Sequence, residues 1–167
     1  MKVKTKIIDV NINTPKLTYS KEGDAGIDLT ATSKWYDDNG NVCFGTNRAF
    51  EIPEGFVGLL FPRSSNAKQD LLLSNSVGVL DSGYRGEVLF KFKVSFDFES
   101  FSDKGDNLVY HTAREEKYKL ASIANFYNIG DRIGQIIILP YPKIEFEEVE
   151  ELSDSKRGAG SYGSTGK

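Results

Sequence analysis

The chain has very little of the chemistry that builds metal clusters or histidine-based catalytic sites. Cys43 is its only cysteine and His111 its only histidine among 167 residues. One cysteine excludes an intramolecular disulfide and any zinc site made of several cysteines. One histidine disfavours a Ser-His-Asp triad or a histidine-rich metal cluster. The formal net charge is only -3, so the chain lacks a basic surface for nucleic acid, and a few placed groups must hold any anionic ligand.

Long apolar runs are also missing. The start, MKVKTKIIDV, has no apolar signal-peptide core, and no segment approaches the roughly 20 apolar residues of a membrane-spanning helix. We therefore expect an intracellular, cytoplasmic protein without a membrane partner. Hydrophobic residues make up 39% and charged residues 27%, an ordinary globular composition, and the length suits one domain.

Alternation of apolar and polar residues predicts β-strands along most of the chain. The clearest case is Phe90, Phe92 and Val94, which alternate with polar or outward-facing neighbours. Other predicted strands are residues 3–8, 27–31, 56–61, 132–139 and 143–149, and residues 78–87 are predicted to form a tight hairpin. Only residues 64–70 predict a short helix, with Ser64 or Ser65 as its N-cap. The pattern is typical of an all-β barrel or sandwich.

Two regions depart from this pattern. Residues 97–124 are longer than a hairpin connection needs, and loops of that length are usually functional or disordered. The last residues, rich in Gly and Ser, predict a mobile arm. We therefore divide the chain into a β-domain at 1–150, which contains the 97–124 insert, and a flexible C-terminal arm at 151–167.

Polar residues in the first half of the chain suggest ligand-binding positions. Asp28 lies in the otherwise apolar strand of GDAGIDLTA, either as a structural carboxylate or as a functional one. In FPRSSNAKQ, Arg63 precedes Ser64 and Ser65 at the start of the predicted helix. This is either a phosphate-binding arrangement or an ordinary capped helix with a surface arginine.

The segment SNSVGVLDSGYRGE combines a carboxylate, an aromatic ring and a cation. Asp81 follows two apolar residues, so its carboxylate can orient and deprotonate a water in a partly enclosed pocket. Tyr84 offers a flat face to a sugar or base. A plain turn also explains the Asp-Ser-Gly sequence, but it accounts neither for Tyr84 and Arg85 nor for Asn75 just upstream.

Two later stretches carry further polar groups. Arg132 and Gln135 stand in the strongly apolar strand of NIGDRIGQIII, so they need structural partners or a ligand. The glycines of the arm let backbone N–H groups approach an anion, with Arg157 and two hydroxyls adding charge and hydrogen bonds. A disordered tail is the alternative interpretation of the arm.

Taken together, five motifs occur in a fixed order: AGIDLTA, PRSSNA, GVLDSGYRGE, GDRIGQ and RGAGSYGSTG. In these motifs the chain resembles the trimeric dUTPase family, the dUTP diphosphatases, over nearly its whole length except the insert. The resemblance implies a jelly-roll-like β-barrel that forms a homotrimer with shared active sites. It also implies hydrolysis of dUTP to dUMP and pyrophosphate by water attack on the α-phosphorus. That reaction would limit uracil incorporation into DNA and supply dUMP for thymidylate synthesis.

The resemblance also implies a role for individual residues. Asp81 would be the general base, Tyr84 would pack against deoxyribose, and Asp28 would hold Mg²⁺ through its water shell. The implied uracil-reading positions are Asn75, Val79, Leu80 and Leu89, the backbone serving at the last three. The implied phosphate-binding groups are Arg63, Ser64, Ser65 and Gln135 in the barrel, and Arg157, Gly163, Ser164 and Thr165 in the arm. Tyr162 of the arm would stack on the base.

Some positions depart from the family pattern. Tyr162 replaces a phenylalanine and Ser161 replaces a glycine. Gly134 replaces a common alanine, and we interpret this third change as a packing detail. The insert lies where some phage members carry extra sequence, which suggests a phage or prophage origin and a protein partner. A dCTP deaminase is one alternative, disfavoured because Lys91 stands where that enzyme has a catalytic glutamate. A non-enzymatic, nucleotide-gated regulator acting through the insert is another.

Overall fold

A computed structural model of the chain describes residues 2–95 and 125–160. Within these residues there are ten β-strands and one 3-10 helix, Ser64–Lys68. No helix there has the length and apolarity that crossing a membrane requires. The strands are β1 (Lys4–Ile7), β2 (Ile27–Thr30), β3 (Ser33–Tyr36), β4 (Val42–Gly45), β5 (Arg48–Glu51), β6 (Phe56–Phe61), β7 (Leu71–Leu73), β8 (Gly78–Leu80), β9 (Leu89–Val94) and β10 (Arg132–Pro140).

The described strands form two four-stranded antiparallel sheets and one two-stranded sheet. One large sheet has the order β2-β10-β6-β8 and the other the order β3-β4-β9-β7, while β1 pairs with β5. Neighbours in these orders are mostly distant in sequence, as when β10 lies between β2 and β6. The predicted all-β, jelly-roll-like fold is therefore confirmed.

A single apolar core joins the two large sheets. Phe44 on β4 and Phe90 and Phe92 on β9 are almost fully buried in one cluster with Leu60 on β6 and Ile136 on β10. Alternation explains this, because Phe90 and Phe92 point inward while Lys91 between them is exposed. Each such side chain contributes about 1.5–3 kcal/mol by leaving water.

Several predicted elements are present with small shifts at their ends. The predicted strands at 3–8, 27–31, 56–61 and 132–139 correspond to β1, β2, β6 and β10. The predicted helix is a 3-10 helix that ends at Lys68, and its N-cap is Arg63, without a side-chain cap hydrogen bond. The prediction of Ser64 or Ser65 as the N-cap is therefore wrong, because the chain enters the helix from β6 one residue earlier.

The predicted strand at residues 143–149 is also wrong. This segment joins no sheet, and its apolar side chains Ile144, Phe146 and Val149 are exposed. Its alternating pattern suits a strand, but the segment pairs with no strand in the described part of the same chain. The last strand contact is the Tyr141 N–H, which donates to the Gly55 carbonyl oxygen at 2.9 Å.

The predicted hairpin at residues 78–87 is replaced by a crossover between the two large sheets. β8 pairs with β6, whereas β9 pairs with β4 and β7. Leu80 and Phe90 both point into the core, but from opposite sheets. The chain therefore passes from one layer to the other between Asp81 and Val88, and the polar residues of this stretch lie at the edge of the barrel.

Candidate active site

A cavity of about 240 Å³ lies along the crossover and is lined by residues of β6, β8 and β9. A turn begins the crossover, since the Tyr84 N–H donates to the Asp81 carbonyl oxygen at 3.0 Å. The structure brings to this cavity the six barrel residues predicted to contact water, base or deoxyribose: Asn75, Val79, Leu80, Asp81, Tyr84 and Leu89. Apolar walls with one amide, one aromatic ring and the carboxylates of Asp81 and Glu87 suit a flat polar ligand such as a nucleoside.

The Tyr84 ring is held against its own turn. Its hydroxyl donates to the Glu87 carbonyl oxygen at 3.1 Å. A Cβ atom at Gly86 would lie 2.4 Å from that hydroxyl oxygen, so only glycine leaves room for the ring in this orientation. This hydrogen bond and the open side of Gly86 hold the ring over its own turn, and 45% of the residue is exposed.

Buried polar residues between β4 and β5 anchor the far end of the crossover, and sequence reasoning missed them. The Asn47 N–H donates to Glu87 Oε1 at 2.7 Å, and the Val88 N–H donates to the Arg48 carbonyl oxygen at 2.8 Å. Asn47 adopts the left-handed conformation, with φ of 54°, which asparagine tolerates better than most residues. That φ preference, next to the turn sequence Gly-Thr-Asn, is the signal that identifies the anchor.

A second group of predicted residues surrounds the Asp28 carboxylate on β2. Arg63 Nε lies 2.7 Å from Asp28 Oδ1, and Arg132 Nη1 lies 2.9 Å from Oδ2. Arg63 also donates to the Ser65 hydroxyl oxygen at 3.3 Å. Two guanidinium groups against one carboxylate leave an excess of positive charge, which suits an anion such as phosphate. Arg132 thus belongs to this group, although the sequence indicated it only as a polar residue in an apolar strand.

The Gln135 side chain also reaches the group of residues around Asp28, where its amide closely approaches the backbone. Its Nε2 donates to the Pro62 carbonyl oxygen at 3.3 Å, directly before Arg63. A Cβ atom at Gly26 would lie only 2.1 Å from Gln135 Oε1. Glycine at this position therefore lets the amide fold back toward the 3-10 helix. Ser64 is exposed at the start of that helix and makes no side-chain cap hydrogen bond.

The donor set around Asp28 fits a divalent cation only through intervening water. Each carboxylate oxygen already accepts one arginine hydrogen bond, so a directly bound cation would lie beside two guanidinium charges that repel it. The residues that the structure describes contain no group of three His, Cys, Asp or Glu side chains placed to hold a metal. A carboxylate retains further lone-pair sites, and Mg²⁺ commonly keeps several waters and takes its other ligands from substrate phosphates.

The described part of the arm lies apart from both groups. Arg157 is exposed, and its Nε donates to the Gly160 carbonyl oxygen at 3.0 Å within a local turn. The remaining predicted arm residues, Tyr162, Gly163, Ser164 and Thr165, lie outside the described residues, as does the 97–124 insert. Phe146 and Leu152, which precede the turn, are each 89% exposed.

Lys91, which bears on the deaminase alternative, lies on the outer face of β9. Its Nζ is 2.9 Å from Asp37 Oδ2, and it does not line the cavity of the crossover. Hydrogen bonds from Asn41 and Lys91 hold the pKa of Asp37 well below its usual range, and Asp37 in turn raises the pKa of Lys91. Lys91 is therefore part of a surface ion pair.

Comparisons with known proteins agree on one family. A family model described as dUTPase matches residues 13–106. The deoxyuridine 5'-triphosphate nucleotidohydrolase of Corynebacterium glutamicum is 35% identical over 164 residues, 97% of this chain and 94% of its own. The solved structure of Staphylococcus bacteriophage 80alpha dUTPase with dUPNHPP has a TM-score of 0.72 and 25% identity, covering 99% and 98% of the two chains. A mutant dUTPase from phage phi11 of S. aureus, whose structure concerns a structural Mg(II) ion, has a TM-score of 0.63 and 24% identity over 90% and 98%.

Proposed function

Because the chain belongs to the dUTPase family, we propose that it hydrolyses dUTP to dUMP and pyrophosphate by attack of a water on the α-phosphorus. The carrying observation is the cavity of the crossover, which Asp81, Tyr84 and Asn75 line together. These three side chains supply a proton acceptor, a flat apolar face and an amide, which are the groups that the reaction needs.

Asp81 acts as the general base. Its carboxylate accepts a proton from the attacking water while the water oxygen bonds to the α-phosphorus and the bond to the β-phosphate oxygen breaks. Pyrophosphate leaves with that bridging oxygen, and dUMP retains the added one. A positioned base contributes roughly 10²- to 10⁴-fold to such a step. The exposure of Asp81 at the mouth of the cavity supports this role, since a water can reach it.

Selection of deoxyuridine rests on the walls of the same cavity. The Asn75 amide and the backbone at Val79, Leu80 and Leu89 pair with uracil. A cytosine would leave donors and acceptors unpaired there, and such losses are costly. The fixed Tyr84 ring lies against the sugar and leaves no room for a 2'-hydroxyl.

The positive group around Asp28 binds the triphosphate. Arg63, Ser64, Ser65 and Gln135 converge at the start of the 3-10 helix, and Asp28 fixes the orientation of the Arg63 guanidinium. Asp28 would also hold Mg²⁺ through water, in keeping with the engagement of both its oxygens. When bound, the ion neutralises charge on the phosphate oxygens.

A homotrimer completes the site in this proposal. The cavity and the positive group are separate parts of one subunit, with no hydrogen bond or ion pair joining them among residues 2–95 and 125–160. The exposed apolar side chains of residues 141–152 support packing on a second copy, because burial of Phe146 and Leu152 alone would remove two large side chains from water. The arm residues Arg157, Tyr162, Gly163, Ser164 and Thr165 would then close over a neighbour's site and bind the γ-phosphate.

Pyrophosphate release tests the reaction. With Mg²⁺ present, we expect rapid release from dUTP and much slower release from dTTP, dCTP and UTP. The same preparation is measured by light scattering, where three times the mass of a single chain is expected. Release from all four nucleotides at similar rates would contradict the base-reading cavity, and ammonia release from dCTP would favour a deaminase. A monomer with full activity would contradict the shared site.

We also propose that the insert binds another protein. The nearest described residues on its two sides are held by Asp70: the Ser95 N–H donates to the Asp70 carbonyl oxygen at 2.9 Å, and the Asp70 N–H donates to the Asn125 carbonyl oxygen at 3.0 Å. Asp70 lies two residues beyond the 3-10 helix that carries the proposed phosphate-binding serines. A partner bound to the insert would thus act close to the triphosphate site. A pull-down with and without dUpNHpp tests this, and capture that is independent of nucleotide would contradict the link.

A further inference from the structure

Tyr127 occupies an unusual place for a tyrosine, inside the core between the two sheets. Only 4% of the residue is exposed, and its ring lies 5.9 Å from the Phe92 ring and 6.2 Å from the Phe44 ring. Rings packed in this way on two neighbouring strands fix the position of the tyrosine closely. A phenylalanine would fill the same space, so packing alone does not require the hydroxyl.

The Tyr127 hydroxyl extends from the core to the 3-10 helix that carries the proposed phosphate-binding serines. It donates to Asn66 Oδ1 at 3.3 Å, and Asn66 Nδ2 in turn donates to the Leu71 carbonyl oxygen at 2.8 Å. Burial raises the pKa of Tyr127, and the positive charge of Arg63 acts in the opposite direction. A neutral phenol therefore lies beneath Asn66.

The contacts continue through the 3-10 helix to the charged centre, because the Asn66 N–H donates to the Arg63 carbonyl oxygen at 2.9 Å. The Ser65 hydroxyl oxygen accepts a hydrogen bond from Arg63 Nη1 at 3.3 Å, and Arg63 Nε pairs with Asp28 at 2.7 Å. The backbone of Tyr127 is itself fixed, because Lys34 Nζ donates to its carbonyl oxygen at 3.1 Å. A continuous set of contacts thus runs from the aromatic core through one phenolic oxygen to the groups proposed to bind phosphate.

We propose that Tyr127 is a positioning residue for triphosphate binding, which through Asn66 holds the 3-10 helix and its serine hydroxyls in the orientation that phosphate requires. The inference rests on the proposed dUTP hydrolysis. In this proposal the segment after the insert contributes to phosphate affinity. It does not contribute to base recognition, because Tyr127 does not line the cavity of the crossover.

The test is Tyr127→Phe, which removes the oxygen and keeps the ring. We expect the KM for dUTP and the Kd for dUpNHpp to rise roughly 2- to 12-fold, the range for loss of one net hydrogen bond. The Kd for deoxyuridine, which has no phosphate, should stay within twofold of wild type. Tyr36→Phe is the matched control, because Tyr36 lies exposed on β3 and loses the same atom. It should change none of these constants.

A double-mutant cycle with Asn66→Ala separates positioning from general destabilisation. If Tyr127 acts through Asn66, Tyr127→Phe should raise the KM less than twofold in the Asn66→Ala background. Equal weakening of deoxyuridine and dUpNHpp, an unchanged KM, or fully additive effects would each overturn the inference. A wild-type protein that neither binds nor cleaves dUTP would instead overturn the proposed function, so the two failures are distinguishable.

Discussion

Gly134→Ala is the substitution whose cost the structure defines most sharply. A Cβ atom at this position would lie 2.1 Å from Phe90 Cε1, 2.4 Å from Cζ and 2.9 Å from Cδ1. Favourable carbon–carbon contacts need about 3.5–4.0 Å, so the ring would have to move by more than about 1 Å. Phe90 is 1% exposed and stacks on Phe92 at 6.2 Å, which blocks that movement.

Overpacking of a rigid core costs about 1–3 kcal/mol. For a chain of this size each kcal/mol lowers the Tm by about 2–4 °C, so we expect a decrease of about 2–12 °C. The backbone of Gly134 is not in the left-handed region, so the steric contact alone carries the cost. Thermal unfolding at one fixed protein concentration measures it, since assembly makes the Tm depend on concentration.

A compensating change tests the cause. Phe90→Leu shortens the obstructing side chain and by itself should destabilise by less than the roughly 3–5 kcal/mol of a Phe→Ala change. If the ring is the obstacle, the double variant should be more stable than the sum of the two single effects predicts, by about 0.5–3 kcal/mol. An unchanged Tm for Gly134→Ala, or strictly additive effects in the pair, would refute the reasoning.

Three further predictions concern the site. Asp81→Asn should lower kcat at least about 100-fold while dUpNHpp still binds in calorimetry, and substantial residual turnover would place the base elsewhere. Deletion of residues 157–167 should abolish rapid hydrolysis with the Tm retained, because a closing arm excludes water and contacts phosphate; an undiminished rate would show that the arm is dispensable. Gly26→Ala displaces a flexible amide where Gly134→Ala displaces a buried ring, so it should raise the KM for dUTP with a Tm change of less than about 2 °C. A large loss of Tm would contradict that distinction.

Local patterns predicted much of the barrel because alternation is a property of neighbouring residues. Strands β6 and β10 were predicted nearly to their ends, since both are apolar runs bounded by Gly, Pro or Asp. Strands β3, β4, β5, β7 and β8 were not predicted. They are three or four residues long, and β4 is buried at every residue, so it shows no alternation.

The crossover could not be predicted from its own sequence. Turn residues at 81–83 between two apolar runs suit a hairpin equally well, and the partners of β8 and β9 are strands far away in the chain. The site residues were predicted by the order of the five motifs. Arg132 and Tyr127 were missed as contributors because their roles depend on contacts with Asp28 and Asn66, more than 60 residues away in sequence.

The pairing of Ser95 and Asn125 with a single aspartate has a consequence for how this barrel tolerates change. Because Asp70 holds both Ser95 and Asn125, the two ends of the segment between them lie close together. Closure entropy grows slowly with loop length, so exchange for a segment of another length should leave the sheets intact. A foreign peptide grafted between Ser95 and Asn125, beside the 3-10 helix, should therefore leave the fold of the rest of the barrel unchanged.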